Sequence, residues 1–464
     1  MKVLTIAWEE NLIDGILHQV EKRTDIKFFH YVHRQTYFSL IKHDYCKERL
    51  FLIPDQNDVK NVQIDNNYLA EIEKFGDYTI NNLILSDRVL HHLDSKEAFI
   101  YASVQAETIS SVIQELNPDY VIGSWDTILP GLAYLICKKN RIPFYVLKFS
   151  VIPSRYLNIC EYPTPIKELP WVDISEPDRL KAAEHILDSW LNRDISAPAY
   201  VSVKSTLDIF KKAPFHFNEL YKRIKKSIGG GHNKFIEYSI WRLLKQYFRK
   251  KGNIVFRNKK LFISSKPPVP FFFFGFHMQP ESSIDVWAPF YSNQYHVVES
   301  IVRSMPAGRL LCLKIHISDA DNYTNTELKR YLKLPNVRIV SPLVSSRTFI
   351  EDAEVIFAIQ GTIGLEGALL GKPTIMFGDS TVKKFSSVSK VQALDSLPQL
   401  VKEKLKESTP SKQRIVEDFS DYLRYFRPSS TNDWFNGMMN GLSEDEIENY
   451  VKIFNALNQY KHYS

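Results

Sequence analysis

Apolar segments of strand length alternate with segments of helical periodicity over the first 160 residues. Four short apolar runs predict strands: Lys2–Ala7, Ile26–Val32, Asp119–Gly123 and Pro143–Leu147. Between them, apolar positions at helical spacing predict helices over 11–21, 102–116 and 128–139. Apolar strands separated by helices are typical of a parallel sheet covered on both faces, so we predict an α/β domain here.

The same alternation returns after residue 266. Five apolar runs predict strands: Phe271–Phe274, Leu310–Ile315, Val337–Val340, Glu354–Ile359 and Thr374–Phe377. Helical patterns lie between them: Asn293–Met305, Thr326–Tyr331, Ser346–Asp352 and Thr362–Leu370. We therefore predict a second doubly wound α/β domain.

The chain between the two halves has a different pattern. Prolines near residues 163–170 are typical of turns or a linker, and the rest of this region is basic with helical spacing. The tail after residue 410 is predicted to be helical, with Ser443 and Glu446 forming a capping box. We predict two Rossmann-like lobes facing a cleft, with a basic helical insertion and a helical C-terminal tail. The predicted boundaries are 1–162, 163–265, 266–410 and 411–464.

The insertion carries most of the positive charge of the chain. Residues 204–260 contain 16 Lys and Arg residues against three acidic ones, whereas the whole chain has a net charge of only +6. One helical stripe in this region is apolar: Ile236, Ile240, Leu243 and Tyr247. The segment is either a solvated helical face or a contact with anionic lipid headgroups, to which Trp241 beside basic residues is suited. No nucleic-acid recognition module is visible, so we expect no nucleic-acid partner.

Composition excludes several classes of protein. Apolar residues make up 44% and charged residues 24% of the 464 residues, which excludes a mainly disordered chain. The four cysteines have no CxxC spacing, so we expect buried thiols in a reducing compartment rather than a zinc ribbon or a disulfide scaffold. No signal-peptide pattern and no run long enough to span a bilayer is present. We expect a cytoplasmic protein, with a peripheral position on the inner face of the plasma membrane as the alternative.

A glycine-containing turn follows the predicted strand that ends at Ile359. Gly361 lets backbone N–H groups approach a phosphate, and a helix that begins at about Thr362 offers free N–H donors and partial positive charge. Thr362 adds a hydroxyl donor, and Glu366 is suited to ribose hydroxyls. The alternative is an ordinary strand-to-helix turn with Glu366 on a solvated face.

Two more loops with polar side chains follow predicted strands of this domain. Lys314 and His316 are two residues apart and share a strand face, where they suit a donor phosphate and the negative charge on a leaving nucleotide. His277, Gln279 and Glu281 follow the first strand of the domain at the predicted cleft edge. The structural alternative is a satisfied histidine and ordinary polar loop residues.

These segments, in this order, resemble the bacterial capsule polysaccharide biosynthesis family that includes the Kdo transferases. The resemblance is carried by His277-Met278-Gln279-Pro280-Glu281 with Trp287-Ala288-Pro289, by Lys314-Ile315-His316, and by the run from Gly361 to Pro373. The sequence departs from the family pattern at Ile317, where the family usually has proline, and at Gly367, which follows Glu366.

The resemblance implies a GT-B glycosyltransferase whose C-terminal lobe holds a nucleotide-activated sugar and whose N-terminal lobe holds the acceptor. It implies that Lys314 and His316 face the donor phosphate, that Gly361 and Thr362 cradle it, and that Glu366 reaches the ribose. It also makes CMP-Kdo the first expectation for the donor.

We expect the acid/base group in the first lobe. Asp126 follows a predicted strand and precedes a predicted helix, a position from which a carboxylate can accept the proton of an acceptor hydroxyl. The alternative is that Asp126 is only a helix N-cap. Glu9 and Glu10, after the first strand, are second candidates.

The sequence thus predicts a glycosyltransferase that moves a sugar from a nucleotide-activated donor to a surface-polysaccharide or lipid-linked acceptor. The predicted catalytic residues are Asp126 and His316, and the predicted donor-binding residues are His277, Gln279, Glu281, Lys314, Gly361, Thr362 and Glu366. We expect no cofactor beyond the nucleotide-sugar substrate. We also expect no metal, although Asp319 and Asp321 match a two-carboxylate metal motif, because the surrounding pattern differs from the fold that uses it. The alternatives are a nucleotide-sugar 2-epimerase-like enzyme and a non-catalytic component of polysaccharide assembly with the same fold.

Overall fold

The computed structural model describes residues 1–43, 45–60, 62–124, 126–150, 152–153, 156–161, 168–171, 174–193, 221, 233–428 and 443–460. Their contacts group them into two compact units. Unit 1 comprises the described parts of Met1–Asp173, Asn233–Ile236 and Arg424–Ser464. Unit 2 comprises the described parts of Ile174–His232 and Glu237–Leu423.

Unit 1 is built on a seven-stranded sheet. Its strands are β1 (Lys2–Ile6), β2 (Lys27–Val32), β3 (Leu50–Leu52), β4 (Tyr120–Gly123), β5 (Phe144–Phe149), β6 (Tyr156–Cys160) and β14 (Phe426–Pro428). They are ordered β14-β6-β5-β4-β1-β2-β3. The strands from β5 to β3 are parallel, whereas β6 and β14 each pair antiparallel with their neighbours.

Helices pack on this sheet and complete its core. They are α1 (Glu10–Leu12, a π-helical part at Ile13–Leu17, and His18–Glu21), α2 (Arg34–Lys42), α3 (Asn66–Glu73), α4 (Ile80–Ser86), α5 (Ser95–Leu116), α6 (Ile128–Lys139) and α16 (Glu444–Tyr460). The long helix α5 ends where Asn117 adopts a left-handed φ of 46° before Pro118. Helix α16 contributes Tyr450 and Phe454, both fully buried, to the same core as Phe28 of β2.

Unit 2 is built on a second seven-stranded sheet, and all of its strands are parallel. The strands are β7 (Phe262–Ile263), β8 (Phe271–Gly275), β9 (Leu310–Lys314), β10 (Val337–Val340), β11 (Val355–Ala358), β12 (Thr374–Met376) and β13 (Val388–Lys390). Their order is β13-β12-β11-β8-β9-β10-β7. The six strands other than β7 therefore have the strand order of a dinucleotide-binding Rossmann fold, with β8 as the first strand.

The helices of unit 2 connect these strands or pack against them. They are α7 (Glu176–Leu191), α8 (Ile240–Val255), α9 (Ser282–Asp285), α10 (Gln294–Ser304), α11 (Asn325–Leu332), α12 (Ser346–Ile350), α13 (Thr362–Leu369), α14 (Leu397–Lys404) and α15 (Lys412–Leu423). A 3-10 helix, Ile317–Asn322, follows β9. The core of the sheet is rich in phenylalanine, and Phe272, Phe274, Phe357 and Phe377 are all fully buried.

The predicted alternation of strands and helices is confirmed, and each unit is a Rossmann-like lobe. Helix α6 and strand β10 lie at the predicted bounds, Ile128–Lys139 and Val337–Val340. The capping box at Ser443 is also present, because the Ser443 backbone N–H donates to Glu446 at 2.6 Å and its hydroxyl accepts from the Glu446 N–H at 3.4 Å. The cleft between the lobes stays a prediction.

The C-terminal tail differs from the predicted helical region. Helix α15 belongs to unit 2, but the chain then joins unit 1, where β14 pairs with β6 and α16 packs on the core. A three-residue edge strand has too few residues to show an alternating pattern, so the sequence did not indicate β14. The contacts group the described residues into two units, and the four predicted segment boundaries stay a prediction.

The basic insertion is described only in part. Its residues 204–220 and 222–232 lie outside the described residues, and the predicted stripe corresponds to α8. Helix α8 begins at Ile240 and not near Ile236, because Ser239 caps it by accepting the N–H of Arg242. Among the described residues, no helix is both long and apolar enough to cross a bilayer.

Candidate active site

The switch point of the unit 2 sheet lies between β8 and β11. The chain runs from β8 outward to β9 and β10 on one side, and from β11 outward to β12 and β13 on the other. Loops that leave the carboxyl ends of β8 and β11 therefore diverge, and open α/β sheets bind their ligands in the resulting crevice. Five of the seven predicted donor-binding residues follow these two strands within seven residues: His277, Gln279, Glu281, Gly361 and Thr362. The other two are Lys314, at the end of β9, and Glu366, within α13.

A cavity of about 310 Å³ lies beside this switch point. Its walls come from the ends of β8 and β9, from the loop after β10, and from the first turn of α13. The lining residues are Phe276, Lys314, Ile315, His316, Ile317, Pro342, Leu343, Val344, Ser345, Ser346 and Ile363. The volume is at the lower end of the range typical of small-ligand pockets.

Lys314 places an amine in the wall of the cavity. The side chain is 5% exposed, and its Nζ donates hydrogen bonds to the carbonyl oxygens of Ser341 and Pro342 at 2.9 and 2.7 Å. Burial lowers the pKa of Lys314 from 10.5 to about 7. Since a neutral amine has two N–H bonds and an ammonium has three, protonation adds one donor beyond those that the two carbonyls use.

His316 stands at the start of the 3-10 helix that follows β9. Its Nδ1 accepts the backbone N–H of Ser318 at 3.2 Å, so the neutral ring carries its proton on Nε2. Burial lowers the pKa of His316, Glu281 raises it, and Lys314 and His277 lower it further; the overall direction is downward. The neutral ring can therefore donate one hydrogen bond from Nε2 to a ligand at neutral pH.

His277 joins the loops that follow β8 and β11. Its Nε2 accepts the backbone N–H of Gln360 at 3.0 Å, which leaves the proton of the neutral ring on Nδ1. That atom lies 3.3 Å from the hydroxyl of Ser283 and 3.9 Å from a carboxylate oxygen of Glu281. His277 is thus held by protein groups on both ring nitrogens, an arrangement that positions the turn at Gly361.

Glu281 remains a carboxylate within this cluster. Burial acts to raise its pKa, but hydrogen bonds from His277 and Ser283 and the nearby imidazole of His316 outweigh burial and lower it. Because Glu281 also raises the pKa of His316, the two side chains are electrostatically coupled. The structure therefore brings together His277, Glu281, Lys314 and His316.

Gly361 begins α13 in a conformation that suits glycine. Its φ is 87° and its ψ is −168°, a region that residues with a Cβ almost never adopt. A Cβ at this position would also lie 3.0 Å from Cε1 of His277. The N–H groups of the first turn of α13, which starts at Thr362, have no intrahelical partner, and among the described residues no side chain caps them. Ile363 of the same turn lines the cavity.

Neighbouring protein groups surround Gln279 and Glu366, and the donor contacts expected of them stay a prediction. Both amide N–H bonds of Gln279 are used, by Asp285 and by the carbonyl of Ser292, each at 3.0 Å. Burial raises the pKa of Glu366 to about 7, and the guanidinium of Arg347 in α12 opposes this rise. Neither residue lines the cavity.

Asp126 belongs to unit 1, at the switch point between β1 and β4 of that sheet. Its carboxylate lies 3.4 Å from Nη2 of Arg88, and its side chain is about half exposed. The N-cap of α6 is Thr127, not Asp126. The carboxylate that accepts the first N–H of α6, that of Ile128, comes from the buried Asp87 at 2.9 Å. Asp126 therefore does not cap the helix.

Glu10, a second candidate in unit 1, forms a surface cluster with two neighbours. Its Oε1 lies 3.0 Å from Nδ1 of His43, and Asp14 completes a group of potential metal ligands. Burial and the charge of Glu10 raise the pKa of Asp14. The contact with His43 involves one of the two carboxylate oxygens of Glu10.

Sequence reasoning missed two parts of the site. The loop from Pro342 to Ser346 forms one wall of the cavity, but its sequence has no recognisable motif. The sequence pattern suggests Asp319 only as a metal ligand. In the structure burial raises the pKa of Asp319 to about 7, and the charges of Asp321 and Glu281 act in the same direction. The spacing of Asp319 after His316 indicates that the two residues share a loop, but it does not indicate that Asp319 is buried.

Comparisons with solved structures give remote likenesses. One is a β-Kdo 2,4-transferase, KpsC of Thermosulfurimonas dismutans, at 13% identity over 70% of this chain and 87% of that chain, with a TM-score of 0.37. Another is the UDP-GlcNAc 2-epimerase from Neisseria meningitidis, at 13% identity over 90% of this chain and 97% of that chain, with a TM-score of 0.28. A third is a glycotransferase of kitacinnamycin, at 12% identity over 91% and 94% of the two chains, with a TM-score of 0.26.

No protein-family model matches the sequence, and no curated protein matches it either. Support for a function therefore comes from the sheet order and the side chains of this chain.

Proposed function

We propose that this protein is a glycosyltransferase whose unit 2 binds a nucleotide-activated sugar at the switch point between β8 and β11. The observation that supports this best is the cavity whose wall holds Lys314 and His316 beside the uncapped first turn of α13. A cation, a neutral N–H donor and free backbone N–H groups are together the donor set that a phosphate prefers.

The donor phosphate would receive hydrogen bonds from three sources. Protonated Lys314 would donate the first, through the one N–H that the carbonyls of Ser341 and Pro342 do not use. Nε2 of His316 donates the second, and the N–H groups at Gly361 and Thr362 donate the others. These donors are fixed before the reaction, so they stabilise negative charge on the leaving nucleotide without reorganising.

The acceptor would be activated from unit 1. In the proposed step the acceptor hydroxyl oxygen bonds to the anomeric carbon, and the bond between that carbon and the phosphate oxygen breaks. The hydroxyl proton passes to the carboxylate of Asp126, and the nucleotide leaves with the bonding electron pair. The exposure of Asp126 is consistent with this role, and Arg88 keeps a positive charge beside it.

Glu281 and Glu366 would contact hydroxyl groups of the donor. Glu281 is a carboxylate in the loop after β8, close to His316, and suits hydroxyl hydrogens of the sugar. Glu366 lies one helical turn beyond Thr362 and suits the ribose. His277 and Gln279 hold these loops in place. CMP-Kdo is the first donor to test, and a surface polysaccharide or a lipid-linked glycan is the proposed acceptor.

Thermal-shift measurements with CMP-Kdo and with UDP-, GDP- and dTDP-sugars test the donor site. A ligand at 100 times its dissociation constant stabilises the folded state by about 2.7 kcal/mol. We expect one nucleotide class to stabilise wild-type protein and the exposed variant His296→Ala equally, and His316→Ala much less. No stabilisation by any class, or equal stabilisation of all three proteins, would contradict the proposal.

Incubation with that nucleotide sugar, with and without a glycan acceptor, then separates transfer from epimerisation. Glycosyl transfer predicts an extended glycan and free nucleotide only when the acceptor is present. An epimerase produces the epimer from the nucleotide sugar alone. A protein that binds the nucleotide but forms neither product would be a non-catalytic assembly component.

A further inference from the structure

Helix α8 has two apolar faces, and within the described part of the chain only one of them packs against the rest of unit 2. On the inner face Ile254 is buried, while Leu243 and Tyr247 are half-buried. Two side chains donate hydrogen bonds to the 3-10 helix Ile317–Asn322. Asn253 donates to the carbonyl of Asp321 at 2.9 Å, and Arg257 donates to the carbonyl of Ala320. These hydrogen bonds join the C-terminal end of α8 to this segment.

The outer face carries large apolar side chains in solvent. Trp241, Phe248 and Val255 are spaced by seven residues, so they lie on one stripe, which we call the outer stripe. They are 81%, 66% and 63% exposed, and Phe256 after the helix is 77% exposed. Monomeric soluble proteins rarely place several large apolar side chains side by side in water, and such a patch marks a binding surface.

The charge around the outer stripe is of one sign. Residues 240–260 contain eight Lys and Arg residues and no acidic residue. Lys245 is exposed about 40° from Trp241 on the helical wheel, and Arg249 is exposed on the same side, about 80° from Trp241. Lys259 and Lys260 are exposed beyond the helix. A partner must therefore offer an apolar interior and a negatively charged rim.

We propose that the outer stripe of α8 lies in the surface of an anionic phospholipid bilayer. Trp241, Phe248 and Val255 would enter the boundary between headgroups and acyl chains, and Lys245 and Arg249 would contact lipid phosphates. Aromatic side chains with a polar edge, such as tryptophan, are favoured at this boundary. A nucleic acid fits less well, because the aliphatic side chain of Val255 can neither stack on a base nor pair with a phosphate.

The bilayer contact would place the candidate site near the membrane surface. Helix α8 packs on Ile317–Asn322, and this segment begins directly after His316, which lines the cavity. A direct connection of this kind suits an enzyme whose second substrate is anchored in lipid. The membrane contact itself does not depend on the proposed transfer reaction, and a vesicle experiment measures it without any sugar.

Vesicle flotation of the full chain tests the proposal, with vesicles of phosphatidylcholine alone and vesicles with about 30% phosphatidylglycerol. We expect wild-type protein to bind only the anionic vesicles, and less at high salt. Two double variants should bind at least about tenfold more weakly: W241A/F248A, which removes apolar area, and K245E/R249E, which reverses charge. Tenfold corresponds to about 1.4 kcal/mol.

Matched controls lie elsewhere on the surface. F38A/L85A removes two exposed apolar side chains of unit 1, and K402E/K406E reverses two exposed charges near α14. Both should bind like wild-type protein. Because all eight altered side chains are exposed or border the surface, the variants should fold, and circular dichroism checks this.

Brominated lipids locate the contact. They should quench wild-type tryptophan fluorescence on binding, and W241F should bind while losing this quenching. Absence of binding to anionic vesicles, equal binding of the outer-stripe variants and their controls, or unchanged quenching in W241F would overturn the proposal. So would a change of oligomeric state, or of binding to single-stranded DNA, in W241A/F248A with vesicle binding intact.

Discussion

Lys314 provides the sharpest test of the candidate site. We predict that a nucleotide binds together with a proton above pH 7, and that Lys314→Met abolishes this coupling. In the free protein the amine is neutral above pH 7, because burial lowers its pKa from 10.5 to about 7. A bound phosphate favours the ammonium, whose additional N–H is not needed by the carbonyls of Ser341 and Pro342.

The size of the effect follows from the burial of the amine. A pKa lowered from 10.5 to about 7 corresponds to a penalty of about 5 kcal/mol on the charged form. While the amine is neutral in the free protein and charged in the complex, affinity should fall about tenfold for each pH unit above 7. Loss of one charge-assisted hydrogen bond, about 1.5–3 kcal/mol, should weaken binding by Lys314→Met about 10- to 150-fold at pH 7.

The same residue predicts a pH dependence of stability. Since the amine has a higher pKa in the unfolded chain than in the folded protein, the unfolded chain binds more protons between pH 7 and 10.5. Stability should therefore rise with pH across this window by about 1.4 kcal/mol per unit through this group, and the full penalty should be present below pH 7. Lys314→Met should remove this slope, whatever its effect on the absolute stability.

Calorimetry at pH 8, in two buffers that differ in ionisation enthalpy, measures the protons taken up on binding. We expect about one proton for wild-type protein and for Lys333→Met, which changes an exposed lysine, and none for Lys314→Met. Wild-type affinity that stays constant from pH 7 to 9, or equal proton uptake by all three proteins, would refute the reasoning.

Three further predictions concern stability and binding. Gly361→Ala should lower the free energy of unfolding by about 1–3 kcal/mol and weaken nucleotide binding. Gly308→Ala, also at positive φ but with open space where the new Cβ would lie, should leave binding unchanged. Urea unfolding measures the stability of both variants, and thermal shift measures their binding. Glu366→Gln should remove a loss of stability that wild-type protein shows as pH rises from 4.5 to about 7, because burial raises the pKa of this carboxyl; an unchanged pH profile in urea unfolding would contradict this. Phe454→Ala should cost about 3–5 kcal/mol because its ring is fully buried, while Phe38→Ala, 58% exposed, should change urea stability by less than about 0.5 kcal/mol.

Local sequence patterns identified most of the regular elements. Strand β10 and helix α6 are long or apolar enough for their periodicity to stand out, and they lie at the predicted bounds. Edge strands such as β3 and β14 have three residues each, too few to repeat a pattern. Their pairing depends on neighbours that are distant in sequence, such as β6 for β14.

The candidate site shows the same division. Residues that follow β8, β9 and β11 could be expected near each other, because carboxyl ends of adjacent parallel strands meet at one edge of a sheet. The sequence could not indicate that the Gln279 amide donates hydrogen bonds to Asp285 and to the carbonyl of Ser292. Nor could it indicate that Asp87 accepts the first N–H of the helix that follows Asp126. No local sequence pattern predicts those contacts.

By itself the sequence determined two α/β lobes and the set of polar residues at the strand ends, because hydrophobic periodicity and glycine turns are local properties. Only the tertiary structure decided that β8 is the central strand of its sheet, that His277 supports the turn at Gly361, and that the amine of Lys314 is buried. Strand order, burial and pKa depend on which segments pack together, and those segments are distant along the chain. A short stretch of sequence does not indicate which of them will be neighbours in the folded protein.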